Sequence, residues 1–331
     1  MMSIGETKIY QWNEIQDLFQ GADIFLGNGF SININSALNY HSLFDRFLTY
    51  LNPEEKLIFK RFNSTNFEGI QNRFSNAVEV NAAFGNKSDQ IEAGRKQLKS
   101  GLLGAIKDLH PAYRQTDPNT IFQLSQKLDW FEDIFTTNYD IFLYHIALIG
   151  LDRFRRDNTI KRYQDFFRKD CLDLRFMDKK INGFKNIYYL HGALFLHQEK
   201  GQIIKIRRGA KEEELLELIR LQIHLGYLPI FVSEGRAQLK EATIAENRYL
   251  SFCRSAFQAN RNSLVIHGFS FSDCDDHLIG DLNENKRKLA IGLHLQSFNE
   301  TQIRQKIKGI EEKLFKYRAK EIKYFDSSTL F

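Results

Sequence analysis

Short apolar runs, each cut off by glycine or a small polar cluster, alternate along the chain with longer stretches of helical spacing. Residues 22–26 are largely apolar and predict a buried strand, ended sharply by Gly27, Asn28 and Gly29. From Ser31 to about Tyr50 the period becomes helical, with Leu38, Leu43, Phe44, Phe47 and Leu48 on one side. Similar spacing predicts helices over 11–20, 54–62, 66–82, 88–109, 120–128, 141–149, 211–224, 236–258 and 300–319, the last with Ile303, Ile307, Ile310, Leu314 and Tyr317 on one face. Pro111 and Pro118 mark turns. Further strands are predicted at 130–135, 186–190, 263–267 and 288–295, with short ones at 229–232 and, as an edge strand, at 322–325. The stretch 151–186 reads as charged and irregular.

Strands separated by helices imply an α/β fold, a Rossmann-like doubly wound parallel sheet. No repeat or linker-like stretch divides the chain, so a single domain over 1–331 is expected, with helical insertions at about 41–129 and 193–228. The 29 phenylalanines and only 4 prolines agree with a well-filled core and few forced breaks. No apolar run approaches the ~20 residues of a membrane-spanning helix, and the first residues lack the basic and apolar regions of a secretory signal. Three scattered cysteines, Cys171, Cys253 and Cys274, predict neither a disulfide framework nor a cysteine zinc site, and suit a reducing cytoplasm. The net charge of +5 is mild. Its basic clusters (Arg153, Arg155, Arg156; Lys179, Lys180; Arg207, Arg208) read as solvated faces, which argues against direct nucleic-acid binding.

Four predicted strands end in a glycine or polar motif, and ligands of open parallel sheets bind at such carboxyl ends. Gly27, Asn28, Gly29, Phe30 and Ser31 can be a tight turn or a diphosphate-holding loop; the third glycine of the dinucleotide fingerprint is missing, because Ile32 stands there. Thr136, Thr137, Asn138, Tyr139 and Asp140 can be a helix cap, or can place Asn138 on a water or ribose hydroxyl with Asp140 holding the loop or the sugar. His191 before Gly192 can be structural, or a general base or sugar-orienting group, with the glycine admitting a ligand. Gly268, Phe269, Ser270, Phe271, Ser272 and Asp273 suit close approach to an adenosine or ribose, or a helix start. Asp273, Asp275, Asp276 and His277 could hold a metal; acidic residues in a first helical turn are expected from the dipole alone, and no metal site is assigned.

Taken in order, these four motifs resemble the SIR2 superfamily of NAD-consuming domains and, within it, the bacterial DUF4917 group. The segment Pro229, Ile230, Phe231, Val232, Ser233, Glu234, Gly235, then Lys240, Tyr249 and Leu250, is similar to a stretch of that group. The resemblance covers roughly residues 20–297. It implies NAD as substrate, with Gly27, Asn28, Gly29, Phe30 and Ser31 at the diphosphate and Thr137 and Asp140 beside the ribose. It also implies Gly268, Ser270 and Phe271 at the adenosine, and Asn138 and His191 as catalytic residues. Asn28 stands where sirtuins carry alanine, and the four-cysteine zinc module of the protein deacylases is missing. The implied activity is therefore zinc-independent NAD+ hydrolysis by an antiphage-defence effector. A homo-oligomer gated by a HerA-like ATPase or an Argonaute-type partner is expected. A non-catalytic NAD or ADP-ribose sensor and an NAD-dependent protein deacylase are the other readings.

Overall fold

The computed structural model describes the chain except residues 1, 5–6, 35–42, 65–66, 111–116, 169–170, 173–182, 208–214, 233–236, 286, 297 and 317–321, and except the side chains of 2–4, 68, 72, 239 and 274. Leu38, Pro111, Lys179, Lys180, Arg208, Ser233, Glu234, Gly235 and Tyr317, and the Cys274 side chain, thus lie outside the described residues.

Strands β1 (Met2–Ile4) and β2 (Thr7–Tyr10) form an antiparallel pair ahead of helix α1 (Trp12–Ile15). The first predicted strand is β3 (Asp23–Leu26), wholly buried, and it runs into α2 (Asn28–Ile34). Five helices follow: α3 (Leu43–Thr49), α4 (Pro53–Arg61), α5 (Phe67–Ala83), α6 (Asp89–Leu109) and α7 (Pro118–Lys127). Pro118 stands in the first turn of α7, where its missing N–H costs nothing, and the Asp117 side chain caps the N–H groups of Asn119 and Thr120. The chain returns to the sheet at β4 (Ile134–Thr136) and leaves through α8 (Phe142–Arg156).

The stretch expected to be irregular carries the last turns of α8, then β5 (Arg162–Gln164), β6 (Phe167–Arg168), β7 (Cys171–Leu172) and the start of β8 (Phe184–Tyr189). The expected helical insertion at 193–228 is corrected: it opens as the hairpin β9 (Gly192–Glu199) and β10 (Gln202–Lys205), and only α9 (Leu215–Leu225) is helical. The hairpin turns at Lys200 and Gly201, both at positive φ, as a two-residue turn between right-twisted strands requires. Then come β11 (Pro229–Phe231), α10 (Ala237–Glu246), α11 (Arg248–Ala259), β12 (Leu264–His267), α12 (Asp276–Asn285), β13 (Leu289–Leu293), α13 (Glu300–Lys313) and β14 (Ile322–Asp326). The single helix expected over 236–258 is broken at Asn247, whose side chain caps α11.

The main sheet has the order β1-β2-β14-β13-β12-β3-β4-β8-β5, with every pair parallel except β1 with β2. It is a Rossmann-like doubly wound sheet flanked by helices. β14 is not an edge strand, because β2 covers it. From β3 the order runs outward through β4 and β8; after β11 the chain returns to the other side of β3 and runs outward through β12, β13 and β14. The switch in direction therefore falls between β3 and β12. A second, antiparallel sheet has the order β11-β9-β10-β7-β6. Helices α3–α5 dock on it through an aromatic cluster of Phe44, Phe47, Phe59 and Phe67, the last 5.0 Å from the ring of Phe231. No helix among the described residues is long and apolar enough to cross a membrane.

Candidate functional site

Register brings the four motifs together. His267, Leu26, Thr136 and Tyr189 stand level across β12, β3, β4 and β8. The motifs at Gly268, Gly27, Thr137 and His191 therefore all emerge along the carboxyl edge, around the switch point. A cavity of about 760 Å³ lies there. It reaches from His191 beyond β8 to Ser327 beyond β14, which at ~4.8 Å per strand is a span of roughly 24 Å, long enough for an extended ligand of two parts.

Of the residues singled out in the sequence, Asn28, Gly29, Thr137, Asn138, Asp140, His191, Gly268 and Ser270 line this cavity. Gly27, Phe30, Ser31 and Phe271 are not among its lining residues. Phe30 is buried against His267 and Phe331, and Phe271 against Phe269. Phe271 also holds a φ of 55°, a left-handed conformation that costs a non-glycine residue about 1–2 kcal/mol. Phe269, its neighbour, faces the cavity instead.

The glycines at the switch point serve each other first. A Cβ on Gly27 would meet Gly268 O at 2.5 Å, one on Gly29 would meet Gly268 Cα at 2.7 Å, and one on Gly268, at a φ of 69°, would meet Phe30 N at 2.5 Å. Gly29 N–H donates to Gly268 O, Gly27 N–H to His267 O, and Phe30 N–H to Gly27 O. Three N–H groups of the expected diphosphate loop are thus already engaged within the protein. Gly192 likewise answers to the fold: its φ is 75°, and a Cβ there would strike Ile230 O of β11 at 2.2 Å, so its role is strand packing and not ligand approach.

Asn138, Ser31 and Asp140 form one buried chain. Asn138 Nδ2 donates to Ser31 Oγ at 2.8 Å, and Ser31 Oγ donates to Asp140 Oδ2 in a short hydrogen bond. Asp140 Oδ1 accepts the N–H of Phe142, the first residue of α8, at 2.9 Å. Burial pushes the Asp140 carboxyl above its ordinary range, against the pull of the Ser31 and Phe142 donors. The chain ends at Asn138 Oδ1, a buried acceptor with no partner among the described residues. Polarisation along such a chain strengthens that acceptor, and Asn138 is one of the residues that line the cavity. The loop itself is held from outside: Tyr139 accepts Leu43 N–H on its hydroxyl at 2.8 Å, and Tyr139 O accepts Leu194 N–H at 2.8 Å.

His191 is only 4% exposed, and its Nε2 lies 3.2 Å from Nε2 of His277 with the rings stacked. Burial, with the charge of Lys240 adding to it, holds His191 well below the ordinary histidine range. His277 is pushed down to about 3, chiefly by burial and then by His191. Beside them, Lys240 Nζ and Asp275 Oδ1 pair at 2.8 Å, and both residues line the cavity. The acidic run at 273–276 therefore splits: Asp273 and Asp276 pair with Lys313 outside, while Asp275 belongs to the site and is more than a helix-end charge. Among the described residues no three His, Cys, Asp or Glu side chains converge as metal ligands.

Sequence reading missed the far wall, where His294, Phe298, Lys306 and Ser327 line the cavity. Burial lowers the Lys306 ammonium from its ordinary range, and its Nζ lies 5.1 Å over the Phe298 ring. His294 directly follows β13 and was detectable as a fifth strand end, but no glycine marks it. His277 and Asp275 gave no such signal, since their partners are distant in sequence.

No curated protein matches the chain. Residues 24–330, nearly all of what builds the sheet and the cavity, match the family model of a domain of unknown function, DUF4917, and the chain belongs to that family.

Proposed function

We propose that the protein is an NAD+ glycohydrolase of SIR2-like type. The observation that carries the reading is the convergence of Asn138, whose Oδ1 has no partner among the described residues, and His191 on one elongated cavity at the switch point of a parallel sheet. Breaking the N-glycosidic bond releases neutral nicotinamide and leaves oxocarbenium character on the ribose carbon. Asn138 Oδ1 accepts a hydrogen bond from a ribose hydroxyl or from the water that adds to that carbon. The water's oxygen forms the new bond, and its second proton leaves to solvent or to His191, giving ADP-ribose. His191 acts as base or as the group that orients the sugar. Gly268, Phe269 and Ser270 face the adenosine side, and Lys306 supplies positive charge at the far wall, while three of the glycine-loop donors near the switch point are already in use.

The resemblance to SIR2-like domains extends the proposal to an antiphage-defence effector, oligomeric and gated by an ATPase or Argonaute-type partner. A second reading, an NAD or ADP-ribose sensor without turnover, is favoured by the engagement of His191 Nε2 with His277. Incubation of the protein with NAD+, alone and with an acylated peptide, separates these. Release of nicotinamide and ADP-ribose without peptide supports the hydrolase. Saturable ADP-ribose binding with no release in an activated preparation supports the sensor, and peptide-dependent release would restore the deacylase.

A further inference from the structure

The geometry points to His277 as a positioning residue: its Nε2–H donates to His191 Nε2, fixing the His191 ring and leaving an Nδ1–H donor for the ligand. His277 is buried, and its Nδ1 has no partner among the described residues. A neutral imidazole carries one proton, and a buried N–H without an acceptor is rarer in proteins than an acceptor without a donor. The His277 proton therefore sits on Nε2, where an acceptor stands 3.2 Å away. Nε2 of His191 is that acceptor, so the proton of His191 is on Nδ1. With Nε2 engaged, Nδ1 is the only other polar atom of a ring that lines the cavity.

The surroundings keep both rings neutral. Lys240 lies near both, and Asp275 and Arg254 act on His277, with Asp275 alone favouring its charged form. The Lys240–Asp275 pair is carried by α10 and by the turn before α12. In this arrangement His191 presents a donor, not a free lone pair, in the resting protein. On the NAD+ reading, which this half of the inference rests on, His191 orients a ribose oxygen before any proton moves.

The test reads the tautomer directly. In 15N-histidine NMR of the whole chain, His191 should be neutral and Nδ1-protonated from about pH 5 to pH 8. Its signals are assigned by comparison with His191→Gln. His277→Leu should release this preference, and His277→Gln, which keeps an N–H donor near the same place, should restore it. ADP-ribose affinity, by calorimetry, should fall about tenfold in His277→Leu and recover in His277→Gln, the loss expected of one hydrogen bond. An Nε2-protonated His191 in the unsubstituted protein overturns the inference, as does a His277→Leu variant with the tautomer unchanged. So does one equivalent of zinc bound to both Nε2 atoms. If the tautomer is as stated but ADP-ribose does not bind, the NAD+ reading falls and the His277–His191 arrangement stands.

Discussion

The Asp23–Asp133 network at the amino end of the parallel sheet and the cavity at its carboxyl end treat buried polar side chains in opposite ways. At the amino end, Asp23 accepts Asp133 N–H at 3.0 Å and the side-chain amides of Asn260 and Asn262 at 2.6 and 3.2 Å. Asp133 in turn accepts both the backbone N–H and the amide of Asn186, and the buried Lys185 ammonium caps the carbonyls of Leu128 and Phe131. At the carboxyl end, Asn138 Oδ1 and Nδ1 of both His267 and His277 have no partner among the described residues. A buried polar group left without a partner costs about 1–3 kcal/mol. The amino end is what polar groups look like when their work is to hold strands in register. The carboxyl end forgoes that stabilisation where a ligand can supply the missing partners.

The strongest way to break this comparison is Asn138→Ala. It should lower NAD+ cleavage about 10²–10⁴-fold while costing only about 1 kcal/mol of stability, because Ser31 keeps its bond to Asp140. Nicotinamide release and urea unfolding measure the two effects. Next, Asp275→Ala strands the Lys240 charge, only 4% exposed, and should cost about 3 kcal/mol as well as activity. Asp23→Ala at the amino end should cost about 2 kcal/mol, leaving the Asn260 amide and the Asp133 N–H without their acceptor while the Asn262 amide keeps Gly21 O, with ADP-ribose affinity unaltered. If Asp23→Ala abolished binding and Asn138→Ala only loosened the fold, the two ends would have been assigned the wrong way round.

The last expected effect concerns acid. Burial holds His267 at about 4 and His277 at about 3, both below the ordinary 6.5. Above pH 6.5 neither folded nor unfolded chain binds these protons, and the stabilisation is complete. As pH falls below 6.5 the unfolded chain takes up protons that the folded one refuses. Stability then declines by about 1.4 kcal/mol per histidine per pH unit, until the folded values are reached. Asp23 has the opposite sign: burial raises it, so its contribution is lost as pH rises from 3.8 through the folded value and regained on acidification. Between pH 6.5 and 5 the carboxyl end should therefore loosen first. Hydrogen exchange, corrected for intrinsic rate, should show amides near His267 losing protection before those near Asp23.

The parts of this molecule that could be read in advance are those whose signals are local. β3, β4, β8 and β12 each carry a short apolar run stopped by a glycine or polar cluster, and the helices over 43–127 show clean periodicity. The β9 run of six buried residues has no period of either kind, and only the turn at Lys200 and Gly201 marked it as a hairpin. β2 has one fully buried residue, Ile9, and joins β14 from the far end of the chain, a pairing that no local pattern can announce. The site divides in the same way. Asn138 and His191 stand at legible strand ends, whereas His277 and Asp275 sit in what reads as an ordinary acidic helix start and matter only through residues 86 and 35 positions away.

The backbone contact among Gly27, Gly29 and Gly268 has a bearing on what this scaffold can become. Because two chain segments meet there without side chains, the floor of the cavity at Gly29 and Gly268 is made of main chain, and no single substitution at those positions can reshape it without prising β3 from β12. A lineage adapting to another ligand would have to work on the rim, at positions such as Asn28, Ile32, His294 and Phe298, around a base that stays the same. Redesign faces the same division: the walls are open to variation, and the floor is inherited.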